Sequence, residues 1–172
     1  MHSRPSSRLL RRLSPGTAVT DMSEPSPFSP PLNRMAIALL SLIGLLISLY
    51  MLAYALGWTG PVICGVGNCE AVQSSPYARL GPVPVAALGV LGYLLLMAVS
   101  FMGLQPASEG SRFVPVALLV GSVLGVAFSA YLTYLEAFVI HAWCQWCVSS
   151  AIVMALSFLV TLPELRRMGE TE

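Results

Sequence analysis

The feature that most constrains this chain is a series of long apolar stretches that carry almost no charge. The first runs from Met35 to Leu56 and has no Asp, Glu, Lys or Arg in 22 residues. As a helix it is about 33 Å long, enough to cross a hydrocarbon core of about 30 Å. A cleaved signal peptide is the alternative, but its apolar region is only about 7–15 residues long. We therefore predict a first transmembrane helix over 35–56.

Three further apolar stretches follow the first. Pro82 and Pro84 fall in the predicted first turn of the second span, where backbone donors have no partner within the helix. Pro163 is expected to end the fourth span. Almost no linker separates the last two spans, so they should be antiparallel neighbours. The predicted spans cover residues 82–104, 113–140 and 143–162.

Composition supports the same fold class. Hydrophobic residues make up 56% of the chain and charged residues only 10%, more apolar than a soluble domain of 172 residues can bury. The net charge is +1 and the chain has no lysine, so nothing indicates a nucleic-acid partner. The sequence thus predicts an all-α integral membrane protein, a four-transmembrane-helix bundle in contact with membrane lipid.

The distribution of arginine predicts the orientation of the bundle. Residues 1–34 are rich in Ser, Pro and Arg and are predicted to be a disordered cytoplasmic tail, with a second tail over 164–172. Of nine arginines, only Arg79 falls in the loop 57–81, and positive charge favours the cytoplasmic side. We therefore expect cytoplasmic termini and a multi-pass protein of the cell inner membrane. The loop 57–81 and the start of the fourth helix would then be extracytoplasmic.

Four cysteines form two pairs on the predicted extracytoplasmic side. Cys144-Gln-Trp-Cys147 is a C-x-x-C motif at the amino end of a helix, which places its sulfurs one turn apart. The helix dipole and the free amide groups there stabilise a thiolate, the nucleophile of thiol–disulfide exchange. Cys64 and Cys69 lie in the loop, separated by a segment with two glycines that lets the backbone turn. A flexible pair beside a rigid pair predicts an electron relay.

Two functions without redox chemistry are the alternatives. Zinc bound by all four cysteines would give a structural site, although extracytoplasmic location and the spacing of the pairs argue against it. A small transporter using Glu136 is the second alternative, but it should carry acids near the centre of the bilayer. Glu136 and His141 fall near the end of the third helix, and we interpret both as interfacial residues.

Several motifs occur in an order that resembles a known family. Cys69-Glu-Ala-Val-Gln-Ser-Ser-Pro-Tyr-Ala78 is followed by Gly81, Pro82 and Pro84, then by Leu88-Gly-Val-Leu-Gly-Tyr93 and the C-x-x-C motif. Over about residues 35 to 163, the chain resembles a bacterial homologue of vitamin K epoxide reductase. The resemblance implies a four-helix bundle around a quinone, ubiquinone or menaquinone, as electron acceptor.

The resemblance also implies roles for individual residues. The C-x-x-C pair would lie beside the quinone and the loop pair would act as a shuttle. From its position one turn deeper into the helix than Cys144, we assign Cys147 to the quinone. Ser75 and Tyr93 would help to bind the quinone. By analogy with DsbB enzymes, the partner would be a separate extracytoplasmic thioredoxin-like protein of the DsbA type, and the activity would support disulfide bond formation. The implied catalytic residues are Cys64, Cys69, Cys144, Cys147 and Ser75, with no metal.

Overall fold

The computed structural model describes residues 32–105 and 111–169, with side chains to residue 163. Within these residues, four helices are long and apolar enough to cross a membrane. They confirm the predicted all-α arrangement of four spans. Nearly all of the predicted amino-terminal tail, residues 106–110 and the last three residues lie outside the described residues.

The loop between the first two long helices contains a short α-helix, a 3-10 turn and two short strands. A single 3-10 turn covers Pro76–Ala78, and a π-helical turn, Leu135–Ile140, prolongs the third long helix. The elements in chain order are α1 Leu32–Ala55, α2 Cys69–Gln73, β1 Arg79–Leu80, β2 Val83–Pro84, α3 Val85–Gly103, α4 Phe113–Tyr134 and α5 Gln145–Gly169.

The bundle has a narrow core and an apolar outer surface. Helix α1 packs against α3 and α5, and α4 packs against α5 and α3. Ile37, Tyr93 and Leu118 are buried at the centre, whereas Leu46 and Leu124 are 59% and 64% exposed. Leucines on the outside are stable only against lipid, since water would not solvate such a surface. The packing therefore agrees with membrane insertion.

The second span begins later than predicted. Helix α3 starts at Val85, and Pro82 and Pro84 lie before it, in a hairpin that pairs β1 with β2. Gly81 has a φ of 63°, as the tight two-residue turn of this hairpin requires. The prediction that both prolines occupy the first helical turn was wrong, because the positive φ of Gly81 reverses the chain into a strand.

The helix that contains the fourth span also differs from the prediction at both ends, although the candidate span itself ends at Pro163. Helix α5 begins at Gln145 rather than residue 143, and it continues through Pro163 to Gly169. Proline removes one backbone donor from a helix, but neighbouring hydrogen bonds of a long membrane helix compensate for the loss. The expected stop at Pro163 was therefore wrong.

The connection between α4 and α5 is short and places the π-helical turn beside the start of α5. The π-helical turn ends at His141, which has a left-handed φ of 56°. The N–H of Ala142 donates to the carbonyl of Glu136 at 3.1 Å. The chain therefore reverses within four residues, and α5 starts beside the side chains of the π-helical turn.

Candidate active site

The loop pair forms a disulfide at the start of α2. Cys64 and Cys69 are bonded, with 6.0 Å between their Cα atoms. The side chain of Asn68 caps α2 by accepting the N–H of Ala71 at 3.0 Å. Cys69 is buried at 1% exposure, whereas Cys64 is partly exposed. The two sulfurs of the loop pair therefore differ in access, and Cys64 is the one that a second protein reaches more easily.

A backbone pairing fixes the loop against the start of α5. Gly67 and Cys144 form an isolated antiparallel bridge, and the N–H of Asn68 donates to the carbonyl of Trp143 at 2.9 Å. Gly67 has a φ of 89°, and a Cβ atom at this position would overlap the Trp143 carbonyl oxygen. Only glycine allows this approach, so the residue holds the two cysteine pairs together.

Two side chains between the C-x-x-C cysteines bind the same loop. The side-chain oxygen of Gln145 accepts the N–H groups of Gly65 and Val66 at 3.1 and 3.0 Å. The indole N–H of Trp146 donates to the carbonyl of Ile63 at 3.0 Å. Thus the two middle residues of C-x-x-C position the loop, a role that was not predicted from the sequence for either residue.

The C-x-x-C cysteines are free thiols in this structure. Cys144 immediately precedes α5, is fully buried and belongs to the same cluster as Cys69, Met51 and Val72. The Cys147 thiol donates a hydrogen bond to the Cys144 sulfur, and amide groups in the first turn of α5 add to this effect. Although burial and Glu136 act in the opposite direction, the pKa of Cys144 is lowered to about 7. Cys144 is therefore partly thiolate at neutral pH.

Cys147 lines an apolar cavity inside the bundle. The cavity has a volume of about 170 Å³, more than ten times the roughly 10–15 Å³ that one water needs on the same measure. All four long helices and the loop contribute to its wall. Polar side chains at the wall include Gln73, Ser75 and Glu136. Such a site suits a flat apolar molecule with polar groups at its edge.

Gln73 contacts the sulfur of Cys147, a contact that was not predicted from the sequence. Its side-chain N–H donates to Cys147 Sγ at 3.6 Å and to Met51 Sδ at 3.5 Å. Gln73 is four residues after Cys69 and therefore one helical turn away on α2, a spacing that the sequence already contained. A donor at this sulfur stabilises negative charge on it.

Glu136 is also part of the site. Its carboxylate accepts the N–H of Cys144 at 3.0 Å, and it is a second acceptor, beside the Cys144 sulfur, within hydrogen-bonding reach of the Cys147 thiol. The side chain is only 3% exposed. The interpretation of Glu136 as an interfacial residue was wrong, because the π-helical turn directs it inward.

The comparison with protein families decides the class to which this arrangement belongs. A model described as the vitamin K epoxide reductase family matches residues 35–162, about three quarters of the chain. The chain belongs to the vitamin K epoxide reductase family. Membership, together with the four spans and the disulfide, makes it a multi-pass membrane thiol oxidoreductase.

Ser75 and Tyr93 of this family member both lie at the wall of the cavity. The Ser75 hydroxyl donates to the carbonyl of Val72 at 2.7 Å. The Tyr93 hydroxyl lies 2.8 Å from the carbonyl of Ser150 and 2.9 Å from its hydroxyl oxygen. Both residues share this cavity with Cys147, and their hydroxyl groups already have protein partners.

Proposed function

We propose that the chain is a quinone-dependent thiol oxidoreductase that reoxidises an extracytoplasmic thioredoxin-like protein. Electrons would pass from the partner to Cys64–Cys69, then to Cys144–Cys147, and then to ubiquinone or menaquinone. The observation that carries the proposal is the order of the four sulfurs: partly exposed Cys64, then Cys69 and Cys144 in one buried cluster, then Cys147 at an apolar cavity. Such an activity supports disulfide bond formation.

The first step takes place at the loop pair. A thiolate of the partner attacks Cys64, the more accessible sulfur, and Cys69 leaves with the electrons of the broken S–S bond. The second partner thiol then attacks the mixed disulfide. The partner is released oxidised, and both loop cysteines are left reduced.

The second step transfers two electrons to the C-x-x-C pair. Cys69 and Cys144 belong to one buried cluster, which supports attack of Cys69 on Cys144 in an oxidised Cys144–Cys147 disulfide. Cys147 then leaves as a thiolate beside the cavity, and Cys64 attacks Cys69 to restore the loop disulfide. This step would leave the loop pair bonded and the C-x-x-C pair free, which is the pairing that the structure has.

The residues of the cavity fit a quinone. A bound quinone supplies the capacity to take up two electrons and two protons. Cys147 lines the cavity and would face the quinone, and re-formation of the Cys144–Cys147 disulfide would release two electrons at the cavity wall. Ser75 donates to a quinone oxygen if its hydroxyl turns away from Val72, and Tyr93 shapes the wall from α3. The proposed quinone-binding residues are thus Cys147, Ser75 and Tyr93.

Two observations favour this function over zinc binding and transport. Cys64 and Cys69 are bonded to each other, and a disulfide sulfur is not a thiolate ligand for zinc. Glu136 contacts both C-x-x-C cysteines instead of standing alone in a span, as a transport residue would. The arginine distribution supports an extracytoplasmic position for the four sulfurs.

Anaerobic mixing of purified protein with quinone and a reduced DsbA-like protein tests the proposal, with quinone absorbance as the readout. Cys147→Ala should abolish quinone reduction with the protein donor and with a small dithiol. Cys64→Ala should impair the protein donor far more than a small dithiol that reaches Cys144–Cys147 directly. Equal losses with both donors would contradict the assignment of the loop pair as a shuttle.

A further inference from the structure

Glu136 has an unusual local environment for an acidic residue. It is the one Asp or Glu within the four described spans, and it lies in the π-helical turn Leu135–Ile140. A π-helical turn contains one residue more than an α-helical turn and commonly occurs at functional sites. Here the wider turn places Glu136 beside the start of α5 instead of toward lipid.

The carboxylate of Glu136 contacts both members of the C-x-x-C pair in different ways. It accepts the backbone N–H of Cys144 at 3.0 Å, which fixes its position. It is also an alternative acceptor, beside the Cys144 sulfur, for the single proton of the Cys147 thiol. The second contact involves a reacting atom, so the carboxylate is positioned to receive the Cys147 proton.

Glu136 also lies at the cavity in which a bound quinone would take up protons. Its side chain lines the same cavity as Cys147 and is 3% exposed. Water has little access to this carboxylate, so a proton it receives is more readily passed to a group in the cavity than to bulk solvent. A buried acid in a membrane span is costly and is normally retained for function. The titratable groups in contact with it are the thiols of Cys144 and Cys147.

We propose that Glu136 is a catalytic proton carrier between Cys147 and the quinone. The inference rests on the proposed function. The S–H bond of Cys147 breaks and an O–H bond forms on Glu136. Re-formation of the Cys144–Cys147 disulfide transfers two electrons to the quinone, Glu136 gives its proton to one quinone oxygen, and the second oxygen takes the proton of Cys144 or one from water. Glu136 holds the proton only between the two transfers and returns to its starting protonation state.

Glu136→Gln separates proton transfer from positioning. The amide oxygen of glutamine still accepts the Cys144 N–H, but the side chain no longer accepts and releases a proton. Quinone reduction with a small dithiol should slow about hundredfold, with an unchanged KM for quinone. Oxidation of a thioredoxin-like protein in a single turnover by the preformed Cys64–Cys69 disulfide should keep its wild-type rate, because this step precedes the action of Glu136. Equal slowing of both reactions would indicate a structural role and overturn the proposal.

Glu70→Gln is the matched control, since Glu70 is an exposed acid beside Cys69. It should leave both reactions at the wild-type rate. Wild-type quinone reduction in Glu136→Gln would also overturn the proposal.

A readout without quinone is the infrared S–H stretch of the reduced protein, assigned by its loss in Cys147→Ala. In the wild type the band should lie at lower frequency than in Glu136→Gln, because the carboxylate is the stronger acceptor. An identical band in both proteins would contradict the thiol–carboxylate contact. If no form of the protein reduced quinone, the proposed function would fail. The infrared band would still decide whether Glu136 accepts a hydrogen bond from the Cys147 thiol.

Discussion

Gly67 and Cys144 pair across a single β-bridge, and this contact joins the segment between the loop cysteines to the start of the C-x-x-C helix. The φ of Gly67 is 89°, and its Cα faces the carbonyl oxygen of Trp143. The distance between the two cysteine pairs therefore depends on a residue that is not a cysteine. Any larger side chain at position 67 must move the loop away from α5.

Gly67→Ala should slow electron transfer from the loop pair to the C-x-x-C pair, because its Cβ atom separates the two segments. We expect at least a tenfold loss of quinone reduction with a protein donor, which corresponds to about 1.4 kcal/mol in activation free energy. A small dithiol that reduces Cys144–Cys147 directly should retain most of its rate. The control is Gly60→Ala, where a Cβ atom meets nothing within 4 Å. Equal rates in the two variants would contradict the role of Gly67.

The sequence predicted the membrane class and the grouping of the cysteines because both depend on simple patterns. Uncharged stretches of more than 20 residues require a membrane, and C-x-x-C at a helix start indicates redox chemistry. The motif order from Cys69 through Tyr93 to Cys147 identified the family that the family model then confirmed. These features depend on the order of residues along the chain.

The hairpin before the second span, the inward direction of Glu136 and the role of Gln145 could not be predicted, because they depend on backbone geometry that sequence patterns do not contain. The positive φ of Gly81 turned the two prolines into a hairpin, and the π-helical turn directed Glu136 inward. Periodicity assumes a regular α-helix, so an extra residue in one turn changes which side chains face the site. The role of Gln145 in holding the loop likewise requires knowledge of where the loop lies.

Gln73→Met should slow the steps that place negative charge on Cys147, since the variant keeps the size of the side chain and removes its N–H donor. A hydrogen bond of this kind contributes about 1 kcal/mol, so quinone reduction should fall roughly fivefold. Steady-state quinone absorbance with a small dithiol donor measures the effect. Ser74→Ala alters an exposed neighbour and should leave the rate unchanged. A similar loss in both variants would point to a general disturbance of α2.

The pKa of Cys144 predicts a pH dependence for re-formation of the C-x-x-C disulfide. Because this pKa is lowered to about 7, the thiolate is present above pH 7 and is lost as the pH falls below it. The single-turnover rate of disulfide formation should therefore fall about tenfold per pH unit below 7. Thiolate absorbance measures the titration of Cys144 in protein that has the Cys64–Cys69 disulfide and a reduced C-x-x-C pair. Cys147→Ala removes the hydrogen bond with Cys147, which is the largest cause of the lowered pKa, so the pKa of Cys144 should rise. An unchanged midpoint of the thiolate titration would contradict this explanation.

Tyr93→Phe tests whether the hydroxyl group of Tyr93 serves the bundle or the quinone. The group binds Ser150 across two helices, so its loss should lower the free energy of unfolding by about 1 kcal/mol. Denaturation in detergent measures this value, with lipid-facing Tyr131→Phe as the control, for which we expect no change. A rise in KM for quinone without loss of stability would instead support direct contact between this hydroxyl and the quinone.

The most direct test of the relay is to trap the disulfide between the two pairs. Cys64→Ala combined with Cys147→Ala removes both resolving cysteines, so mild oxidation should join Cys69 to Cys144 in high yield. The control pairs Cys69→Ala with Cys147→Ala and asks whether Cys64 forms the same bond with Cys144. Mass spectrometry of the cross-linked peptides should find the Cys69–Cys144 bond in the first variant and little Cys64–Cys144 bond in the second. Absence of a Cys69–Cys144 bond, or equal yields from the two variants, would contradict the proposed electron route.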